Sequence, residues 1–268
     1  MLKDITLGQF FPGSTPVHRL DPRTKLILLM VYIVALFTAK GWIAYSIVTA
    51  FLVTAVAVSR IKPKALLKGL KPILVIIVLT AVLNLFYTKG EHVIFSFWKI
   101  TATWEGLETA AFMTLRIMLL ICGTFLLTYT TSPIALTDGL ESLLNPLKKI
   151  KVPVHELSMM MCIALRFIPT LIEETDKIMS AQKARGADFE SGKLMERVKA
   201  LIPILVPLFI SAFRRADELA TAMECRCYQG GDGRTKMKLL RYALWDFYAF
   251  GCGIVLLTAV FVLSGFGL

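Results

Sequence analysis

An all-α integral membrane fold, with about five transmembrane helices and a cytosolic helical domain, is what this sequence predicts, and three observations predict it. Hydrophobic residues make up 56% of the 268 positions and charged residues 18%, where a soluble domain carries roughly 25% charged residues. The apolar residues gather in long runs that suit a bilayer. Thr131–Arg241 holds 17 of the 30 basic and 13 of the 19 acidic residues, so the charge is concentrated in one segment.

A span needs about 20 mostly apolar residues. Leu26–Ala39 and Trp42–Ser59 form a long apolar stretch broken only by Lys40-Gly41, which predicts two spans joined by a tight turn, the first of them short. Ile73–Tyr87 predicts a third span, Leu107–Thr128 a fourth containing Arg116, and Trp245–Leu268 the last. Backbone in lipid must satisfy its own hydrogen bonds, so all five are expected to be helical. The first 25 or so residues hold Pro, Gly and several charges in place of an apolar core, unlike a cleavable signal peptide. This divides the chain into 1–130 (N-terminal segment and four spans), 131–241 (a cytosolic helical domain) and 242–268 (the last span).

Lys and Arg near the span ends set the expected orientation. Arg19, Arg23 and Lys25 precede the first span, and Arg60, Lys62, Lys64, Lys68 and Lys71 separate the second from the third. The first hairpin has only Lys40, and the loop before the fourth span only Lys89 and Lys99. The N-terminus and the 60–71 loop are therefore expected in the cytosol and the C-terminus outside. Thr88–Trp104, with Trp98 and Trp104, is expected as an external interfacial loop. The net charge of +11 follows from this topology and does not point to nucleic acid. The five cysteines form no disulfide framework: Cys122 and Cys252 fall in expected spans, and Cys162, Cys225 and Cys227 in the cytosolic segment, where thiols stay reduced.

Within 131–241, the apolar stretches Leu157–Leu165 and Leu201–Phe213 are too short to span, and Pro203 and Pro207 interrupt the second. Each continues into a charged tail, which predicts amphipathic helices with one end against the membrane and the other in the cytosol. The two tails match at a fixed offset of 41: Asp176 precedes Arg185 by nine positions, as Asp217 precedes Arg226. Ala184-Arg185-Gly186 and Cys225-Arg226-Cys227 thus present a cation between small residues that let another protein approach. One copy alone would be an ordinary helix end, with Arg facing the macrodipole and Gly186 at C′.

These residues resemble the T component of energy-coupling factor (ECF) transporters, the EcfT/CbiQ-like family of ABC importer subunits. That family carries two Ala-Arg-Gly motifs at the ends of cytosolic coupling helices. Residues 184–186 match the first fully, and Cys225-Arg226-Cys227 keeps only the Arg. The opening segment is also similar: Gly8-Gln9-Phe10, then Ser14, His18-Arg19-Leu20-Asp21-Pro22-Arg23 and Lys25-Leu26. The resemblance implies a transmembrane coupling subunit that carries the motion of two ATPase subunits to a membrane S component for vitamin or metal-ion uptake. It implies an ATPase interface at Ala184, Arg185, Gly186, Cys225, Arg226 and Cys227. It also implies ATP and Mg on the partners and no cofactor on this chain.

Other residues carry weaker signals. Asp21 before Pro22 fits an N-cap with Pro at N1. Arg116, inside a span, either faces the bundle interior or snorkels to water. Met159-Met160-Met161 fits either an adaptable surface for the S component or a lipid or core stretch. Cys225 and Cys227 lack further ligands at useful spacing, so no metal site is expected. No Walker-type G-x4-G-K-[ST] is present, so the chain is not expected to be an enzyme. Two other functions fit less well. A membrane-embedded prenyl or lipid-phosphate transferase needs acidic or His clusters near the membrane face, which His18, His92 and His155 do not form. A stand-alone secondary transporter needs buried ionisable groups, of which only Arg116 qualifies.

Overall fold

The structure is a computed structural model that describes residues 10–88, 93–97, 100–187, 189, 194–231, 233 and 239–265. Gly8, Gln9, His92 and Trp98 lie outside the described residues. Ten α-helices run in order among those described: α1 (Pro16–Arg19), α2 (Pro22–Thr38), α3 (Trp42–Ser59), α4 (Pro63–Leu70), α5 (Leu74–Tyr87), α6 (Trp104–Thr130), α7 (Pro133–Leu144), α8 (Val154–Ala184), α9 (Leu194–Glu224) and α10 (Leu244–Gly265). Between α5 and α6 lies one antiparallel hairpin of β1 (Val93–Phe97) and β2 (Ile100–Thr103). This corrects the plain loop expected over 88–104, and an antiparallel pair suits the β-branched and aromatic residues there.

The chain divides into two compact units, 8–140 with 240–268, and 141–239. In the first unit α2 is central, packed against α3, α6 and α10, while α5 packs along α6. The core includes Tyr32, Leu36, Tyr45, Val48 and Val260, each 4% exposed or less. Tyr32 donates to the Leu119 carbonyl at 2.9 Å. Its ring lies over Gly123, where an added Cβ would come within 2.6 Å of it. A small residue there lets α2 and α6 approach closely, the device that holds helices together where lipid offers no hydrophobic drive.

Contacts inside this unit order the helix ends. Lys25, at the start of α2, bonds the Thr130 carbonyl at the end of α6 (2.8 Å), and Thr15 reaches the Ser59 carbonyl at the end of α3. Tyr129 reaches Ala65 in α4. At the opposite face, the end of α5 meets the start of α6, with the Leu85 carbonyl beside Gly106. Asp246 in the first turn of α10 is 1% exposed. One of its carboxylate oxygens accepts from the Asp21 N–H (2.9 Å) and the other from the Ala243 N–H (2.7 Å). Two helix N-termini thus converge on one carboxylate, the charge that their dipoles favour. As expected, Asp21 caps α2, accepting from the Arg23 N–H at 2.9 Å.

Five helical stretches are long and apolar enough to cross a membrane: Trp42–Ser59, Pro63–Tyr87, Trp104–Thr130, Val154–Ala184 and Leu244–Gly265. Three contain expected spans whole, and Leu244–Gly265 covers the expected last span up to residue 265, beyond which it lies outside the described residues. The fifth, α8, was expected to be too short, but its helix continues through Pro169 for 31 residues. The expected first span, α2, has 17 residues, roughly 25 Å at 1.5 Å per residue and at the short limit for a bilayer. The end of α6 and the start of α10 both lie on the face where α2 begins, so the chain between them crosses an even number of times. Helix α8 could cross only if α9 crossed too, and α9 carries Arg214, Arg215, Asp217 and Glu218. Helix α2 nevertheless packs centrally among α3, α6 and α10, three helices of crossing length and composition.

Arg116 takes the interior alternative. Its Nε donates to the Tyr45 hydroxyl (2.8 Å), its Nη2 to the Ala39 carbonyl (3.4 Å), and its guanidinium lies 5.5 Å from the Phe37 ring centre. It complements the C-terminus of α2 and ties α6 to the α2–α3 turn.

Candidate functional site

Helices α8 and α9 form the second unit's long pair. Gln182 reaches the Pro203 carbonyl, Glu174 accepts from Ser211 and from Arg215 (2.8 Å), and the Tyr228 hydroxyl meets the Met159 sulfur at 3.1 Å. As position rises along α8 its partner position falls along α9, so the two helices run antiparallel. The prolines Pro169, Pro203 and Pro207 lie inside the helices without ending them. Each removes one hydrogen bond, and the continuous apolar and polar faces on either side carry the helix past it.

The two helices end in the same way. At the end of α8, the Ala187 N–H bonds the Gln182 carbonyl (3.0 Å) and the Gly186 N–H bonds the Lys183 carbonyl (3.0 Å). At the end of α9, the Tyr228 N–H bonds the Met223 carbonyl (3.1 Å) and the Cys227 N–H bonds the Glu224 carbonyl (2.8 Å). Both are Schellman motifs. Gly186 and Cys227 occupy the left-handed C′ position, at φ +86° and +55°. Arg185 and Arg226 stand at the same step of each cap, immediately before it, and both are exposed. Ala184 and Cys225 precede them, also exposed. The offset of 41 in the sequence is therefore a repeated three-dimensional cap. Because the pair is antiparallel, the two Arg stand at its opposite ends, separated by roughly 25 residues of register or about 40 Å.

Glu174 joins the helices midway. Its carboxylate pairs with Arg215 on α9, both side chains partly exposed at 22% and 32%, and also accepts from Ser211. A third tie holds the start of α8, where Glu141 bonds His155 (3.1 Å) and Ser158 (2.9 Å). The Arg-bearing ends are thus carried by a braced pair.

Of the Met run, Met159 packs against Tyr228, while Met160 and Met161 are 54% and 39% exposed. A larger apolar surface lies on α9, where Val198, Leu201, Leu205, Phe209, Ile210 and Phe213 are all 46–68% exposed. Their spacing of three or four puts them on one stripe. The sequence showed the amphipathic period, but the prolines within it suggested an interrupted helix, so the stripe's full length was missed. Among the described residues, no three His, Cys, Asp or Glu side chains come together as a metal site. What the described residues present here is an exposed apolar stripe on α9 and an exposed Arg at the end of each helix.

Known proteins resemble this chain in sequence. The family model described as cobalt transport protein, CbiQ, matches residues 13–237. Among curated proteins named energy-coupling factor transporter transmembrane protein EcfT, that of Clostridium kluyveri is 56% identical over 96% of this chain and 95% of its own length. The protein of that name from Ruminiclostridium cellulolyticum is 54% identical over 98% of both chains. Its counterpart in Bacillus subtilis is 49% identical over 98% of this chain and 99% of its own length.

Proposed function

We propose a function from family membership: the chain belongs to the CbiQ/EcfT family, the transmembrane components of energy-coupling factor transporters. In our reading it is the non-catalytic coupling subunit of such an importer. Two ABC ATPase subunits, which hold the ATP and Mg, dock one at each end of the α8–α9 pair. A small membrane S component that captures a vitamin or metal ion docks on the apolar surface of the same pair. ATP-driven movement of the ATPases shifts the ends, and the braced helices carry that movement to the S component.

The observation that supports this most is the repeated cap. Two exposed guanidinium groups at matching positions, roughly 40 Å apart, suit two copies of one kind of partner. Each Arg offers a planar fork to a carboxylate or carbonyl cluster in an ATPase groove. Removing one partner of such a contact costs about 2–5 kcal/mol. With two sites on one frame, either Arg alone can retain the ATPases while coupling suffers. Cargo uptake in vesicles, measured alongside co-purification of the ATPase subunits, tests this. Arg185→Ala or Arg226→Ala sharply lowers uptake, and the double substitution also strips the ATPases from the membrane. Normal uptake and retention in the double variant would reduce both groups to ordinary helix-end cations.

A further inference from the structure

The membrane unit contains a cavity of 280 Å³ that the coupling function does not use. It lies among α2, α3, α6 and α10, and Leu28, Tyr32, Phe51, Ala55, Leu126 and Cys252 are part of its wall. The wall is almost wholly apolar. The aliphatic stem of Lys25 lines one end, but its ammonium is taken up by the Thr130 carbonyl, the Thr131 hydroxyl and the His18 carbonyl. The pocket is partly open, and its wall offers water few hydrogen-bond partners.

The cavity has two neighbours. It shares Phe51, Thr54 and Cys252 as lining with a groove between α3 and α10, two helices long and apolar enough to cross a bilayer. It shares Val58 with a neighbouring cleft whose wall includes Arg60. A second cleft on the same side is lined by Arg60, Lys62 and His18. Burial lowers the His18 pKa, opposed by its hydrogen bond to the Phe11 carbonyl and aided by the nearby Lys25 charge, so the basic character of this side rests on Arg60 and Lys62. Arg60 is exposed at the end of α3. The run from Arg60 to Lys71 holds five basic residues and no acidic one.

We propose that this cavity and its Arg60 mouth bind one anionic phospholipid, with an acyl chain between α3 and α10 and the phosphate headgroup at Arg60. A hydrocarbon chain is the material that fills a dry slot open to the bilayer, and the one-sided basic charge selects a negative headgroup. The lipid replaces missing helix contacts with its own and fixes the distance between α3 and α10.

Native mass spectrometry of the full-length chain, titrated with phosphatidylglycerol or phosphatidylcholine, tests the site. The wild-type chain retains phosphatidylglycerol with a roughly fivefold preference, the size expected of one basic side chain at an anionic headgroup. Ala55→Trp fills the slot and loses the retained lipid of both kinds. Arg60→Gln, on the surface, keeps a bound lipid but loses the preference, which separates loss of the site from loss of the fold. A photoreactive residue in place of Cys252 crosslinks to lipid in membranes. Equal retention of both lipids by all three proteins would mean ordinary boundary lipid and overturn the proposal. Crosslinking from position 252 to a polypeptide would overturn it in favour of a partner helix.

Discussion

Cys227 sits at φ +55°, in the left-handed region that costs a residue with a Cβ roughly 1 kcal/mol relative to glycine. Gly186 holds the equivalent place at φ +86°, and a Cβ built there meets nothing within 4 Å. The constraint on both positions is therefore conformational, not steric. Cys227→Gly is expected to stabilise the end of α9 by about 0.5–1 kcal/mol, seen as slower amide exchange over residues 219–228 with uptake retained. Gly186→Val is expected to fray the end of α8 and lower uptake with the ATPases still retained, while Gly186→Asn, which tolerates the left-handed region, does much less harm. Loss of uptake in Cys227→Gly would show that the thiol, and not the cap, makes the contact. At this scale the sequence was partly legible. Gly186 announced a C′ position, and the matched Arg spacing announced a repeat. The matching cap at Cys227 was hidden because cysteine carries no preference for positive φ. Asp246 was hidden as well, since its partner Asp21 is 225 residues away in the sequence.

At the scale of helices, α9 divides its work between two faces. Ser211 and Arg215 turn toward Glu174 on α8, while Leu205, Phe209 and Phe213 stand exposed on the stripe. An exposed apolar surface of this length marks a partner or membrane contact. Phe209→Asp or Leu205→Asp is expected to abolish co-purification of the S component while leaving the ATPases bound, because neither residue touches the Arg-bearing ends. Glu174→Gln tests the brace instead: both partners remain bound, but uptake per ATP hydrolysed falls as the helices move independently. If Phe209→Asp left S-component capture intact, the stripe would belong to lipid alone. The spans were legible from hydropathy because lipid imposes length and composition directly. The extent of α8 and α9 was not, because interior prolines signal breaks that the helix faces here override, and the β1–β2 hairpin was missed because its strands are short.

At the scale of the whole chain, topology follows from which helix ends share a face. The basic run of 60–71 and the N-terminal segment lie together, as shown by Thr15 reaching the Ser59 carbonyl and Lys25 reaching Thr130. Helices α6 and α10 respectively end and begin on that same face, so everything from α7 to the end of α9 departs from it and returns to it. The excess of Lys and Arg there is the basis on which we propose that this face is the cytosolic one. Reporter tags inserted near residue 64 and in the segment between α8 and α9 are therefore expected to respond as cytosolic. A tag fused after the last residue is expected to respond as external. The three results are linked by parity. If α8 alone crossed the bilayer, the tag between α8 and α9 would report the outside, and α9 would have to return through lipid carrying Arg214, Arg215, Asp217 and Glu218. Each such residue at mid-membrane costs about 2.5–3.5 kcal/mol on insertion scales, too much for a helix whose apolar stripe covers only one side. A cytosolic report from the C-terminal tag would remove one crossing from the bundle. The shortest helix, α2, would then be the first to reconsider, although its central packing against α3, α6 and α10 argues that it crosses with them.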